Sequence, residues 1–424
     1  MDRYRILKFN DSKWRDMPTS MITKLRLEKE LPGAIVQITT FHLWKEAIEN
    51  FCPHLIILNN AQGNRNSHIA SYVKRHGGIV VVMFTEGMVT DQSFAKVFAA
   101  QKDHKHIDAF FCWNDIVSDL VDGTTVGCPR FDIYGKKELI DTRELFCDKW
   151  GLDSSKKIIL FGDSWPSAKF MYMKRNFHRI DWKETGAGEW MDAEEFAKDQ
   201  YEKQEHFKLV INGFRFQFGP DVQLIVKAHP MSDYSSWEKW SRETGILVIH
   251  SEYSFNALNA CDIYVSKIGS ITVTEAWLLN KPAIKLSSSN DTASTLGQFE
   301  ADKLNASWDS LEEISISALM IDSLLNTDIP KFMELENPGR AAHLEEWGFT
   351  HNDSAGLLVK ELISILENTE FSLRYKLNSR LVFEALYNHD SIYTTHTWDG
   401  FGNWKKAVVQ NDVAGWRRNM TNSA

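Results

Sequence analysis

The stretch that decides the fold runs from Gln223 to Leu286. It reads QLIVKAHP (Gln223–Pro230), then a loop and short helix, then NACDIYVSKIGSITVTEAWLLNKPAIKL (Asn259–Leu286). Two apolar, β-branched runs, Leu224–Val226 and Ile263–Val265, are each followed at once by small and polar residues. The second loop leads into an amphipathic segment, Val273–Leu279. That is a strand–loop–helix rhythm. Open α/β sheets bind ligands at the carboxyl ends of such strands, where helix N-termini and free backbone N–H groups point into one crevice. His229, Ser266, Lys267, Ser270 and Glu275 all fall in that position, with Lys227 and Pro230 beside the histidine and Gly269 and Thr272 beside the serine.

Working outward, the same alternation fills both halves of the chain. In the first half the predicted strands are Ala34–Thr39, Leu55–Leu58, Ile79–Phe84, Ala109–Trp113 and a short one at Thr125–Val126. Helices Phe41–Asn50, Ser67–Arg75 and Asp91–Ala100 lie between them. After a Gly- and Pro-bearing break (GCPRFDIYG) the rhythm restarts at Lys157–Phe161. A polar insertion (166–193) and a helix Ala193–Phe214 follow, then strands Gln223–Val226, Gly245–Ile249, Ile263–Val265 and Ala283–Leu286. Near-continuous apolar strands alternating with helices imply parallel sheets covered on both faces. The expected division is a first Rossmann-like domain over 1–150, a second over 151–310 and a helical segment over 311–424, where Leu357, Leu358, Leu362, Ile363 and Leu366 recur at helical spacing. Two such α/β units in tandem suggest the two-domain GT-B architecture, in which donor and acceptor meet in a cleft. No GxGxxG follows a first strand, which counts against a dinucleotide enzyme.

Composition narrows the class. The chain has 424 residues, 43% hydrophobic and 25% charged, enough for two ordinary domains. A net charge of −9 argues against a general nucleic-acid binder, which needs a basic face. The N-terminus lacks the apolar core of a signal peptide, and no run is long enough to span a bilayer. The five cysteines are scattered and odd in number, as reduced thiols of a cytoplasmic protein are. No HxxH, HExxH or DxD spacing calls for a catalytic metal.

Each candidate has a chemical and a plain reading. His229 can donate to a phosphate oxygen, or merely satisfy a turn beside Pro230. Gly269 permits a tight loop, and Ser270 and Thr272 at the helix start suit a phosphate or simply cap the helix. Glu275 can accept from ribose hydroxyls or settle against the positive helix end. Asp163, in FGDSWPS, is either a nucleophile or base toward an anomeric carbon, or an Asx-turn residue ending a strand. In the first half Glu86 is the favoured acceptor-side group. Asn59, Asn60 and Arg65 lie where an acceptor could bind, with ordinary turn chemistry as the alternative.

Three segments resemble bacterial surface-carbohydrate biosynthesis proteins. VGCPRFD (Val126–Asp132) resembles their GNPRFD signature, with Cys128 in place of asparagine. KAHP resembles the K-x-HP element shared by capsule Kdo transferases, CDP-glycerol polymerising transferases and CMP-sialic-acid transferases. The stretch from Cys261 to Ile284 resembles their nucleotide-binding loop and helix, closing on NKP. The resemblance spans roughly residues 50–290. It implies a metal-independent GT-B glycosyltransferase without a cofactor. Its donor would be a nucleotide-sugar, CMP-linked and carrying an acidic sugar such as Kdo; its acceptor would be a surface polysaccharide or glycolipid. His229 and Ser270 would contact the donor phosphate, Glu275 the ribose or base, and Asp163, by place, would attack the sugar. The rivals are a CDP-glycerol-type phosphotransferase, a UDP-sugar epimerase and a non-catalytic nucleotide-sugar-binding protein. A cytoplasmic location, with peripheral contact at the inner face of the membrane, goes with this reading; the oligomeric state stays open.

Overall fold

The computed structural model describes residues 4–10, 13–41, 44–89, 92–173, 193–230, 232, 234–267, 269–287, 304–335, 338–349, 353–375, 392–398 and 404–410. Most of the polar insertion read over 166–193, and much of the tail beyond 375, lie outside these residues. The chain forms two compact units: one holds the residues up to Leu139 and those from Trp347 onward, the other the residues from Ile140 to Glu346.

The first unit carries a six-stranded sheet of β1 (Arg5–Asn10), β2 (Ile35–Thr40), β3 (Leu55–Leu58), β4 (Ile79–Met83), β5 (Ala109–Cys112) and β6 (Thr124–Thr125), in the order β2-β1-β3-β4-β5-β6. Every pairing is parallel. Strands β3 and β4, LIIL and IVVVM, are buried along their whole length, as strands covered on both faces must be. Their side chains pack with Ile48 and Phe51 of the helix Trp44–Phe51 and with Ile69 and Val73 of the helix Gly63–Arg75.

The second unit carries β7 (Lys157–Gly162), β8 (Val222–Lys227), β9 (Leu247–Ile249), β10 (Ile263–Lys267), β11 (Ala283–Ser287) and β12 (Asn305–Ser307), ordered β12-β11-β10-β7-β8-β9. All five pairings are parallel. Numbered within the unit, this is the doubly wound order 3-2-1-4-5-6, whose direction of growth reverses between β7 and β10. Phe161, Val226, Val265 and Leu286 point to one face, where Phe207, Ile211 and Phe214 of the helix Ala193–Arg215 and Ile314 and Ile321 of the helix Leu311–Leu325 cover them.

The predicted strands all form, within a residue or two at each end. The pair β1 and the helix Lys13–Glu30 goes unread in the sequence. The reason is visible: β1 reads RILKFN with a buried Lys8, and the helix carries Pro18, so both depart from the apolar patterns that betray such elements. The short edge strand β12 escapes as well. The tail is helical through Leu311–Leu325, Ile329–Leu335, Pro338–Glu346 and Ser354–Glu367, but Ile392–Trp398 and Trp404–Gln410 pair as an antiparallel hairpin in place of the expected helix. Among the described residues no helix is long and apolar enough to cross a membrane.

Candidate functional site

Most of the predicted residues lie at the carboxyl ends of β7, β8 and β10, and Asp163 follows β7. Its backbone N–H donates to the Lys227 carbonyl at 3.0 Å, continuing the β7–β8 ladder one residue past the strand. Its carboxylate is 6% exposed and accepts from five donors. Oδ1 takes the Trp165 N–H at 3.1 Å and the Gln204 amide at 3.2 Å. Oδ2 takes the His229 N–H at 3.2 Å, the Ser232 hydroxyl at 2.5 Å and the Trp237 indole N–H at 3.1 Å. A carboxylate offers about four lone-pair sites, so these five donors fill it. These bonds make the group an Asx-type tie, the plain alternative to the nucleophile expected there: it fastens the β8 loop, with half-buried His229 and Pro230 on it, to β7.

Lys227 ends β8 and is buried, its ammonium donating to the Ala228 carbonyl at 3.2 Å. Burial pulls it down to about 8, and the nearby carboxylates of Glu252, Asp163 and Glu275 oppose that pull. Below pH 8 a cation thus sits behind His229. The carboxylate that opposes this pull most, Glu252, was not legible in the sequence. Glu252 follows β9 in HSEYSF and is buried, held by Lys149 at 2.5 Å, the Trp150 indole at 3.1 Å and the Asn256 amide at 3.0 Å. Burial raises its carboxyl, but Lys149 and Asn256 outweigh that and leave it below the usual range. An acid three residues past a strand ending in isoleucine is the signal that could have found it.

On the other side of the switch point, Ser266 is fully buried, donates to the Gly162 carbonyl at 3.1 Å and lies 3.3 Å from the Ser164 hydroxyl, so it ties β10 to β7. Gly269 adopts φ 80°, where a side chain is strained, and turns the chain from β10 into the helix Ile271–Leu278. Ser270 starts that helix but makes no side-chain cap. Tyr264, on β10, is buried, and burial pushes its phenol up while the Ser266, Ser270 and Thr272 hydroxyls nearby pull it down. Gly162 is required beneath that phenol, since a Cβ there would lie 1.9 Å from Tyr264 Oη. The Ser270 carbonyl accepts the first intrahelical bond, from the Val273 N–H at 3.0 Å. Lys267 is half-buried at the end of β10. Glu275 is buried and accepts from the Ser254 hydroxyl at 3.0 Å, which ties two helices together. Two residues past the helix Asn280 adopts φ 54°, a left-handed turn that asparagine enters more readily than most residues, and leads into Lys281 and Pro282.

Glu86 belongs to the first unit. It follows β4, is 46% exposed at its side chain, and pairs with Arg15 at 3.3 Å. Arg15 also holds buried Asp16 at 2.7 Å; Asp16 accepts from Asn59 at 3.2 Å, and Asn59 accepts from buried Lys8 at 2.7 Å. This chain of polar contacts spans β1 and β3, where the first sheet reverses direction. Asn60 shapes its own turn, accepting from the Gln62 N–H and the Asn66 amide, and Arg65 lies 4.4 Å over the Phe41 ring. VGCPRFD is structural: Asp132 accepts from the Ser354 and Ala355 N–H groups at 3.1 and 2.8 Å and anchors the helix Ser354–Glu367, while Arg130 lies over the Trp113 and Phe131 rings. Among the described residues no three His, Cys, Asp or Glu side chains cluster to hold a metal ion.

No protein-family profile matches the chain, and no curated protein matches it. Solved structures do. The wall teichoic acid polymerase TagF, as a variant soaked with CDPG, superposes with a TM-score of 0.51 at 10% identity over 86% of this chain and 88% of its own. A Listeria monocytogenes protein assigned as a UDP-N-acetylglucosamine 2-epimerase gives 0.50 at 12% over 87% and 98%. S. aureus MnaA, solved with UDP, gives 0.50 at 10% over 88% and 100%. At such identities the likeness is one of fold: this chain has the α/β fold of the GT-B type, with its two parallel six-stranded sheets.

Proposed function

We propose that the protein is a nucleotide-sugar enzyme of bacterial surface-polymer synthesis, and that it transfers a sugar, CMP-linked and acidic as Kdo is, to a polysaccharide or glycolipid acceptor. The observation that supports this most is the construction of the β7/β10 switch point. A glycine turn opens a helix whose N-terminus carries no side-chain cap, beside a loop that carries His229 and is pinned by Asp163. Such a place suits a nucleotide phosphate. The fold relatives solved with CDPG and with UDP are consistent with a nucleotide-linked substrate.

In this reading His229 and the helix N-terminus take the donor phosphate, Lys227 supplies positive charge from behind, and Lys267 stands at the rim. Ser266, Thr272, Gly269 and Pro230 shape the loops, and Glu275 braces the helix. With Asp163 saturated, no enzyme carboxylate attacks the sugar. The acceptor hydroxyl attacks directly, Glu86 takes its proton, the bond between donor carbon and phosphate oxygen breaks, and the nucleotide leaves with that electron pair. No cofactor and no metal enters these steps.

The test is thermal-shift binding of CMP, CDP, UDP and GDP to the wild type and to His229→Ala. A ligand at a hundred times its Kd should stabilise by about 2.7 kcal/mol. Stabilisation by CMP that the variant loses supports the reading. Preference for UDP or GDP refutes the CMP donor, and silence from all four refutes the nucleotide site. A second reading is phosphotransfer from a CDP-glycerol-type donor. The fold relative soaked with CDPG is consistent with it, and phosphoryl transfer, like the direct attack above, needs no enzyme nucleophile. Turnover of CDP-glycerol with CMP-Kdo left intact would select it.

A further inference from the structure

We infer that the first unit holds a ligand site of its own at Arg15, and that the acceptor bound there carries an anionic group beside its reacting hydroxyl; the hydroxyl's role rests on the transfer reading. The sheet order β2-β1-β3-β4-β5-β6 reverses between β1 and β3. Doubly wound sheets bind ligands outside the carboxyl ends of their strands at such a reversal. Asn10 ends β1 and Asn59 follows β3, both buried. Lys8 stands beside Ile57 in the register, so Lys8 and Asn59 point to one face of the sheet. The buried Lys8 ammonium donates to Asn59 Oδ1 at 2.7 Å, and the Asn59 amide donates to Asp16 Oδ2 at 3.2 Å.

Arg15 makes two unequal contacts at the end of this chain. It grips Asp16 with two nitrogens, Nε on Oδ1 at 2.7 Å and Nη2 on Oδ2 at 3.3 Å, and the Asp16 side chain is 1% exposed. Its third nitrogen, Nη1, meets Glu86 Oε1 at 3.3 Å, and the Glu86 side chain is 46% exposed. A fork on a buried carboxylate is firm, whereas a single long contact to a half-exposed one is weak. Glu86 therefore stands where a carboxylate or phosphate brought by a ligand would lie, since a guanidinium receives either group with the same geometry.

Charge balance identifies the ligand's class. With Glu86 set aside, Lys8 and Arg15 face the single carboxylate of Asp16, so the group takes one further negative charge. A neutral glycan brings none and leaves Glu86 on Arg15. An anionic acceptor displaces that carboxylate from Nη1, and Glu86 turns to the neighbouring hydroxyl, whose proton it takes as the oxygen attacks. Because Nη1 and Glu86 are in contact, the anion and the hydroxyl lie within a few bonds of each other, as in a polyol phosphate or a uronic acid.

Titration calorimetry on the full chain, with no donor present, tests this. Glycerol phosphate or glucuronate should bind the wild type about tenfold more tightly than glycerol or inorganic phosphate does. The tighter of the two names phosphate or carboxylate as the acceptor's anion. Glu86→Gln should strengthen that binding about fivefold, because it removes the competing carboxylate. Arg15→Lys keeps the ion pair with Asp16, and so the fold, but loses the fork and should weaken binding about tenfold. His229→Ala should change nothing. Silence from both anions overturns the inference, as does equal binding of glycerol or of inorganic phosphate. So does a Glu86→Gln chain that binds no tighter, an Arg15→Lys chain that binds as well, or loss of binding in His229→Ala, which would put the ligand at the other unit's site. These results stand whether or not a nucleotide binds, and silence from every nucleotide sinks the transfer reading alone.

Discussion

Replacing Asp163 separates two roles that a carboxylate at this position can have. As a nucleophile it would tolerate the isosteric Asp163→Asn without loss of stability, since the fold would not depend on its charge. As the acceptor for five donors it cannot. In the asparagine variant the best arrangement keeps the oxygen toward Ser232, Trp237 and the His229 N–H, and turns the new NH₂ toward the Trp165 N–H and the Gln204 amide. Gln204 can flip to accept; the buried Trp165 N–H cannot. One orphaned donor and the change from charge-assisted to neutral bonds cost about 2 kcal/mol. In Asp163→Ala the Trp165 N–H, the His229 N–H and the Trp237 indole all lose their acceptor, and the cost rises to about 4 kcal/mol. Urea unfolding followed by tryptophan fluorescence reads this directly, because Trp165 and Trp237 are both buried beside the carboxylate. The transition of the second unit should move to lower urea in the order wild type, asparagine, alanine. An asparagine variant within about 0.5 kcal/mol of wild type would refute the reasoning and return Asp163 to the list of chemical groups.

Two further outcomes follow from local geometry. Gly162→Ala should destabilise by about 3 kcal/mol, because its Cβ would collide with the Tyr264 phenol; Gly162→Ala/Tyr264→Phe should be less damaged than the single change predicts, measured as a double-mutant cycle. His343 is buried edge-on against Trp277, their rings 5.6 Å apart. Burial, with Lys285 nearby, pushes its imidazole down to about 4. The unfolded chain then binds a proton that the folded chain refuses. The stability contribution is whole above pH 6.5 and lost as pH falls through the window to about 4, where it amounts to about 3 kcal/mol. Melting temperatures at pH 7 and pH 4.5 should diverge more for wild type than for His343→Phe, and equal divergence would refute the assignment.

How much of this was legible in the chain depends on whether local pattern or distant packing decides each feature. Runs such as LIIL, IVVVM and KIILFG can only be strands buried on both faces, so the two sheets, the restart near residue 157 and the position of His229 and Gly269 at strand ends follow from the sequence itself. Gly269 needed its left-handed φ whatever surrounded it. The strand β1 was hidden because its buried Lys8 is satisfied only by Asn59, 51 residues away. Likewise the strand–loop–helix rhythm marks Asp163 as a strand-end carboxylate. Whether that carboxylate is available for chemistry turns on Gln204, Ser232 and Trp237, which no spacing connects to it. Ser270 reads as a helix cap, and it stands at the cap position, yet its side chain makes no cap bond. Periodicity records which face of an element is buried; what a polar side chain does depends on which partners the fold delivers to it, and those come from far along the chain.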